Sequence, residues 1–154
     1  MSKPLVDRFY SSFAKHDGDA MAACYHPDVT FEDPAFGELK GHNAGDMWRM
    51  LCSGGTDVRI EHTVHEADDD GARVSWVANY TFSSTGRPVR NEITTTMKFR
   101  DGKIIDHRDR FKMWGWASQA LGVPGRLLGW SPMLKAKVRK MALSNLAAFQ
   151  AADS

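Results

Sequence analysis

Apolar residues recur every three or four positions at the start of the chain, a spacing that predicts an amphipathic helix. These positions are Leu5, Val6, Phe9, Tyr10 and Phe13. Asp19 is a candidate cap for a second short helix that continues to Tyr25. A short strand is expected at 29–33, where Pro34 ends it. The first part of the chain is therefore predicted to hold two helices and one strand.

Four longer segments alternate apolar and polar residues, the pattern of half-buried strands. A loop at 37–41 and a third helix, with Asn43 as its candidate cap, precede them. The strands are expected at 57–66, at 72–82 and, as a hairpin, within 88–114. Helices, consecutive hairpins and then further helices predict an α+β fold rather than an α/β fold.

The dipeptide Asp101-Gly102 joins the hairpin strands, since it accepts the positive φ of a tight turn. In the second strand, alternation places one set of side chains on a single face: Ile105, His107, Asp109, Phe111 and Met113. The opposite face carries Asp106, Arg108, Arg110 and Lys112. An aspartate among apolar residues is costly to ionise unless it is paired, hydrogen-bonded or facing a wet cavity. We therefore predict that the sheet encloses a cavity and that Asp109 points into it.

We predict one α+β domain over residues 1–154. Its core, residues 1–113, is a cone-shaped, curved, mainly antiparallel sheet wrapped on the N-terminal helices, which cover its apolar face. A helical C-terminal extension follows at 114–154, with helices at 114–121 and 131–148. The extension is rich in large apolar residues, so we expect it either to close the pocket as a lid or to pack on a second subunit.

Charge and composition exclude several classes of function. The 20 basic and 19 acidic residues give a net charge of +1 and are scattered, whereas nucleic acid requires a concentrated positive field. No signal region or membrane-length apolar run occurs, so we expect a cytoplasmic protein without membrane contact. His62 and His65 fall on opposite faces of a strand, so they cannot bind one metal ion together. We expect neither a metal nor a cofactor. Cys24 and Cys52 are expected to be free thiols, with a disulfide left open.

Three segments together resemble the nuclear transport factor two-like superfamily, and most closely its SnoaL-like branch. They are TyrHisProAspValThrPheGluAspPro at 25–34, Gly102-Lys103-Ile104, and Arg108-Asp109-Arg110-Phe111. The resemblance covers Leu5 to Met113, and it implies a curled sheet around a pocket and, in many members, a homodimer. The superfamily hosts isomerases, cyclases, hydrolases, dehydratases and non-catalytic binders, so the resemblance does not by itself choose an activity.

Residues 29–34 are similar to the Val-Glu-Asp-Pro segment of ketosteroid isomerase, which implies that Asp33 takes the place of its general base. The positions of that enzyme's catalytic tyrosine and protonated acid fall at Phe9 and near Thr95. The oxyanion partners of that isomerase are therefore absent from this chain.

Residues 106–112 are similar to a strand of limonene epoxide hydrolase, and Asp109 matches one of its catalytic aspartates. The partner arginine and aspartate of that triad correspond to Trp76 and Ala78. Each of the two relatives thus supplies one carboxylate and neither supplies its full set.

An apolar pocket with a few converging polar groups is the usual site for a small molecule. We expect a small, largely apolar ligand, lined by Phe9, Phe13, Ile60, Trp76, Tyr80, Ile93, Thr95, Met97, Phe111 and Trp114. Asp33 and Asp109 are the candidate acid–base groups, with His62 or His107 setting their protonation. This favours a cofactor-independent isomerase, cyclase or hydrolase; the alternative is a non-catalytic ligand-binding or dimerisation module.

Structural roles stay open for the same side chains. Asp33, directly before Pro34, can accept backbone N–H bonds in an Asx turn. Asp109 can pair with Arg108 or with an arginine across the sheet. His62 and His107 can be satisfied, partly buried histidines. The sequence leaves the substrate unnamed, because the shape of the pocket depends on side-chain packing.

Overall fold

The computed structural model describes residues 3–53 and 57–152. Helices and strands alternate in blocks, as the sequence predicted. The elements are α1 (Lys3–Ala14), α2 (Gly18–Ala23), β1 (Tyr25–Asp33), β2 (Gly37–Lys40), α3 (His42–Cys52), β3 (Arg59–Ala67), β4 (Gly71–Phe82), β5 (Arg87–Arg100), β6 (Lys103–Arg110), α4 (Met113–Leu121), α5 (Val123–Leu128) and α6 (Pro132–Ala152). The α+β class is therefore confirmed.

The strands form one curled sheet in the order β2-β1-β6-β5-β4-β3. All neighbouring pairs are antiparallel except β1 and β6, which run parallel. Helices α1 and α3 cover its inner face, where Phe9 and Trp48 share one apolar core with Phe31 and Val74 of the sheet. Burying such large side chains stabilises the fold by about 1.5–3 kcal/mol each. The prediction that the N-terminal helices cover the sheet is confirmed.

The predicted loop at 37–41 was wrong in part, because Gly37–Lys40 form strand β2. This strand pairs with β1, placing Leu39 opposite Phe31, and Leu39 is buried. Four residues are too few for alternation to stand out against a glycine-bounded loop. The predicted helix caps were also wrong: Asp17 caps α2 by accepting from Ala20 N at 3.0 Å, and α3 begins at His42 without a side-chain cap.

The turn at Asp101-Gly102 is confirmed, with φ of +55° and +73°. Just beyond it, Lys98 faces Asp106 while Phe99 faces Ile104, so β6 has one extra residue at this point. This β-bulge reverses the alternation locally, and Ile104 is buried instead of the expected Ile105. After the bulge, the predicted alternation holds.

The C-terminal extension forms three helices rather than two, because α5 begins inside the predicted break at 122–125. A second apolar cluster joins Trp116 of α4 and Val138 of α6 to Val89 of β5. Cys24 is buried, Cys52 is partly buried, and both are free thiols. Within the described ranges, no helix combines the length and apolar character needed to cross a bilayer.

Candidate functional site

A cavity of about 840 Å³ lies between α3, the inner face of β4, β5 and β6, and helices α4 and α6. Its wall is mainly apolar and aromatic, with three carboxyl groups, Asp33, Asp57 and Asp109. Asp57 is exposed and is bonded to Thr81 N and Oγ1, whereas Asp33 and Asp109 lie deeper in the wall. The wall also includes Phe13, Met47, Trp48, Trp76, Tyr80, Asn91, Ile93, Phe111, Trp116, Val138, Met141 and Asn145. This volume lies within the roughly 300–1,000 Å³ of small-molecule sites, so a molecule of drug size fits.

Strand β6 carries Asp109 into the cavity wall, where its side chain is almost wholly removed from solvent (3% exposed). Its Oδ1 accepts two hydrogen bonds, from Thr95 Oγ1 at 2.5 Å and from His107 Nε2 at 2.9 Å. Thr95 Oγ1 in turn accepts from Trp76 Nε1 at 2.7 Å. Among the described residues, none donates a hydrogen bond to Oδ2. One carboxylate oxygen is therefore held rigidly, while the other is free for a ligand.

A chain of hydrogen bonds behind His107 fixes its ring. Trp48 Nε1 can only donate, and it donates to Tyr25 Oη at 2.7 Å. On the other side of the ring, His107 Nε2 faces the carboxylate of Asp109, which only accepts, so Nε2 carries the ring proton. His107 Nδ1 is then the acceptor, and Tyr25 Oη donates to it at 2.8 Å. Burial raises the pKa of Tyr25 well above its ordinary value, which keeps this hydroxyl a donor. His107 therefore orients the carboxylate from a completely buried position.

The Tyr25→Phe variant should lower the free energy of unfolding by about 2–4 kcal/mol. It leaves Trp48 Nε1 and His107 Nδ1 buried without a partner, and each such group costs about 1–3 kcal/mol. Urea unfolding followed by fluorescence measures the loss. Tyr10→Phe is the matched control, because the buried Tyr10 hydroxyl has no well-formed hydrogen bond within the described chain. Equal stability of the two variants would contradict the chain of hydrogen bonds from Trp48 through Tyr25 to His107.

Asp33 ends β1 and also faces the cavity. Its Oδ1 accepts from Phe36 N at 2.6 Å, so the Asx turn left open by the sequence is present. Burial raises the pKa of Asp33 to about 7, and the negative charge of Asp109 adds to the rise. The backbone N–H groups of Phe36 and Ala35, together with His107, act in the opposite direction. Asp33 therefore accepts the hydrogen bond of an Asx turn and also has a carboxyl group with a raised pKa.

The Asp33→Asn variant should become more stable relative to the native protein as pH rises. Because folding raises this pKa from 3.8 to about 7, the folded state binds the extra proton between these values, and the native protein loses stability across that window. Asparagine still accepts from Phe36 N but cannot ionise. Urea titrations at pH 5 and pH 8 should show the stability difference growing by about 2–3 kcal/mol, since about two pH units of the window lie between them at about 1.4 kcal/mol each. A difference that stays constant between the two pH values would contradict the shift.

The structure brings some of the predicted site residues together and separates others. Those in the cavity wall are Asp33, Asp109, Phe13, Trp76, Tyr80, Ile93 and Phe111. Those outside it are His62, His107, Phe9, Ile60, Thr95, Met97 and Trp114. His62 lies on β3 and bonds to Asp7 at 2.9 Å, away from both cavity carboxylates. Its expected role in setting their protonation therefore does not fit its position.

The boundary of the cavity follows β5. Ile93 lines the cavity, Thr95 lies behind Asp109, and Met97 is buried in the core. Beyond this point the space is filled by the ring of Phe9, which packs against those of Tyr25, Trp48 and His107 among others. Trp114 is 49% exposed on the outside of α4. The cavity thus occupies only one end of the space that the sheet encloses.

Sequence reasoning missed the contributions of α3 and α6. Met47 and Trp48 of α3, and Val138, Met141 and Asn145 of α6, line the cavity. Helical periodicity shows which face of each helix is apolar but not which element that face contacts. The i, i+4 spacing of Val138 with Leu134 and Ala142 was the available signal for α6.

Solved structures share this fold at low sequence identity. A protein assigned as a polyketide cyclase from Xanthomonas campestris pv. campestris has a TM-score of 0.67 and 19% identity, over 77% of this chain and 95% of its own. A protein with a ketosteroid isomerase-like fold from Catenulispora acidiphila, in complex with trimethylamine, has a TM-score of 0.66 and 18% identity, over 83% of this chain and 97% of its own. An epoxide hydrolase of M. tuberculosis, similar to limonene epoxide hydrolase, has a TM-score of 0.60 and 19% identity, over 85% of this chain and 92% of its own. At these identities the likeness shows the fold alone.

Among curated proteins, none matches the chain significantly. The family model described as the SnoaL-like domain matches residues 6–107, about two thirds of the chain. The match spans α1 to the middle of β6 and stops before the C-terminal helices. By its sequence match, and with the curled sheet and covering helices described above, the chain belongs to the SnoaL-like domain family.

Proposed function

We propose that this protein binds a small, largely apolar molecule in the cavity and catalyses a cofactor-independent acid–base reaction of the isomerase, cyclase or hydrolase type. The observation that carries the proposal is the placement of two carboxyl groups, Asp33 and Asp109, in one mainly apolar wall. Two carboxyl groups in unlike environments can divide the roles of proton donor and acceptor between them.

Asp33 is the proposed proton carrier. A pKa of about 7 lets this carboxyl group both take and return a proton near neutral pH, the condition under which general acid–base catalysis is most effective. With a carbonyl substrate, ionised Asp33 removes a proton from the carbon next to the carbonyl. The protonated carboxyl group then returns that proton to the product carbon or oxygen, so no external acid or base is consumed.

Asp109 is the proposed second acid–base group and acts through Oδ2, since Oδ1 is occupied by Thr95 and His107. Thr95 and His107 position this carboxylate without touching the ligand themselves. The apolar wall excludes water and holds the body of the ligand, which concentrates the polar contacts on the two carboxyl groups.

Proton exchange tests the proposal without a known substrate. Apolar cyclic ketones in D₂O are incubated with the protein, and loss of the α-proton signal is followed by NMR. The rate should rise with pH through about 7, as Asp33 ionises, and should fall sharply in the Asp33→Asn variant. Saturable binding without exchange in any ketone would reject catalysis at this site.

The second candidate is a non-catalytic ligand-binding module with the same cavity. Phe9 and Trp76 favour this candidate, because they occupy positions at which related enzymes have polar catalytic groups. The indole N–H of Trp76 already donates to Thr95 Oγ1 and cannot donate to a ligand as well. Native mass spectrometry of the purified protein, looking for a co-purified apolar molecule, tests ligand binding independently of turnover.

A further inference from the structure

The C-terminal extension exposes large apolar side chains that the rest of the chain leaves uncovered. Trp130 is 66% exposed and Met133 is 76% exposed. The most exposed of them, here called the apolar surface, are Trp114, Val123, Leu127, Leu128, Trp130 and Met133, while Met141 and Leu143 of α6 are exposed to a smaller extent. Apolar residues grouped in this way on one part of a protein mark an interaction site rather than ordinary scatter.

Tight packing of α5 on α4 holds this surface in place. Gly125 lies directly against the carbonyl of Ala117, and Gly129 lies against the backbone of Trp114. The two exposed indoles donate their N–H groups internally, Trp114 to Arg126 O at 2.9 Å and Trp130 to Leu127 O at 2.8 Å. With these polar groups satisfied, both rings present apolar faces to the outside.

The same part of the chain is cationic. Residues 112–154 hold six basic side chains and one acidic one, Asp153, whereas residues 1–111 hold the other 18 acidic residues. The basic residues are Lys112, Arg126, Lys135, Lys137, Arg139 and Lys140. On α6, Lys137 and Lys140 are exposed on the side away from the buried Val138 and Leu146. Apolar and cationic groups therefore occur together on this extension.

We propose that the apolar surface docks on an anionic phospholipid bilayer. Aromatic and aliphatic side chains enter the interfacial layer, and the lysine and arginine side chains bind the lipid phosphates. A second copy of this chain fits less well, because a two-fold contact would bring the same cations face to face. The sequence favoured a lid or a second subunit over membrane contact for this extension. A sequence does not show which apolar side chains remain exposed after folding.

This inference goes beyond the proposed function and does not depend on it. The extension does, however, connect the two sites: Trp116 of α4 and Val138 and Met141 of α6 line the cavity. A bilayer bound at α4–α6 would hold dissolved apolar molecules close to that cavity.

Vesicle flotation of the purified full chain tests the proposal. We expect binding to vesicles of equal parts phosphatidylcholine and phosphatidylglycerol, and weak binding to phosphatidylcholine alone. Binding should be lost in 0.5 M salt, because salt screens the attraction between charges and the Debye length falls to about 3 Å near 1 M. Tryptophan fluorescence, to which the exposed Trp114 and Trp130 contribute, should shift to shorter wavelength when vesicles bind. Absence of binding to the anionic vesicles at low salt would overturn the proposal.

Two variants separate the contributions. Lys137→Glu with Lys140→Glu should weaken binding at least about 25-fold, since each basic residue near the surface contributes about fivefold. Leu127→Gln with Trp130→Gln should weaken binding to a similar degree. Lys98→Glu with Arg100→Glu, on exposed positions of β5, changes the net charge equally and should bind almost as the native protein does.

Two results would overturn the assignment of the surface. If the β5 variant lost as much binding as the α6 variant, the attraction would depend on net charge rather than on this surface. If sedimentation velocity showed a native dimer that Leu127→Gln with Trp130→Gln dissociates, a second copy would be the occupant. A dimer that survives this double substitution would leave the surface free for lipid and would match the homodimer expected from the family resemblance.

Discussion

Replacing Asp109 by asparagine should reduce α-proton exchange by about 10²–10⁴-fold, the usual contribution of a general acid–base group. The asparagine carbonyl can still accept from Thr95 and His107, so the hydrogen bonds around Oδ1 survive the change. The negative charge and the free basic oxygen Oδ2 are lost. We therefore expect a folded protein with an unchanged cavity and almost no turnover, measured as kcat/KM on the same ketone as the native protein.

Asp106→Asn is the matched control on the same strand. Asp106 bonds to Arg108 at 3.1 and 3.2 Å and does not line the cavity, so its loss should change kcat/KM by no more than about twofold. Amide NMR spectra of both variants show whether the fold is intact. Native activity in folded Asp109→Asn would remove Asp109 from the mechanism.

Replacing Gly125 by alanine should produce the largest loss of stability expected from one methyl group. A Cβ at this position would lie 1.9 Å from the carbonyl oxygen of Ala117 and 2.4 Å from its carbon. Both atoms belong to the backbone of α4, so neither can rotate away, and α5 must separate from α4. We expect the free energy of unfolding to fall by about 3 kcal/mol, the upper part of the range for overpacking. Ligand affinity should fall as well, because Trp116 of α4 lines the cavity.

Gly115→Ala is the control for this change within the same pair of helices. The nearest atom to a Cβ at Gly115 is Lys112 Cβ at 3.9 Å, an ordinary contact. Because alanine favours a helix interior by about 0.5–1 kcal/mol over glycine, this variant should be as stable as the native protein or more stable. Thermal unfolding of the two variants side by side makes the comparison. A Gly125→Ala protein with the same unfolding temperature as the native protein would contradict the packing of α5 on α4.

The sequence predicted the fold where local chemistry and periodicity agreed. Asp101-Gly102 was recognisable as a turn because positive φ has few occupants, and β3–β6 were recognisable because each strand alternates over eight or more residues. Strand β2 and helix α5 were missed, since four and six residues hold at most two periods of the strand or helix pattern and both segments are bounded by glycine. The bulge at Ile105 depends on pairing with β5, a contact distant from the local pattern.

The site was predictable only in part, for a related reason. Asp109 was singled out because its apolar neighbours alternate with it, and Asp33 because of its position before Pro34 in a recognisable segment. His62 alternates just as well on β3, yet it bonds to Asp7 of α1, and the ring of Tyr10 stacks on its ring. Which of several inward side chains faces empty space depends on how rings such as Phe9 fill the interior.

Asp33 and Asp109 share one apolar cavity, and carboxyl ¹³C NMR titration of Asp33 tests this arrangement most directly. We predict a midpoint at about pH 7 in the native protein, since burial raises this pKa and the charge of Asp109 raises it further. In Asp109→Asn the midpoint should move to lower pH, because the nearby charge is gone. A midpoint close to the ordinary value of 3.8, or one that Asp109→Asn leaves unmoved, would contradict the shared site.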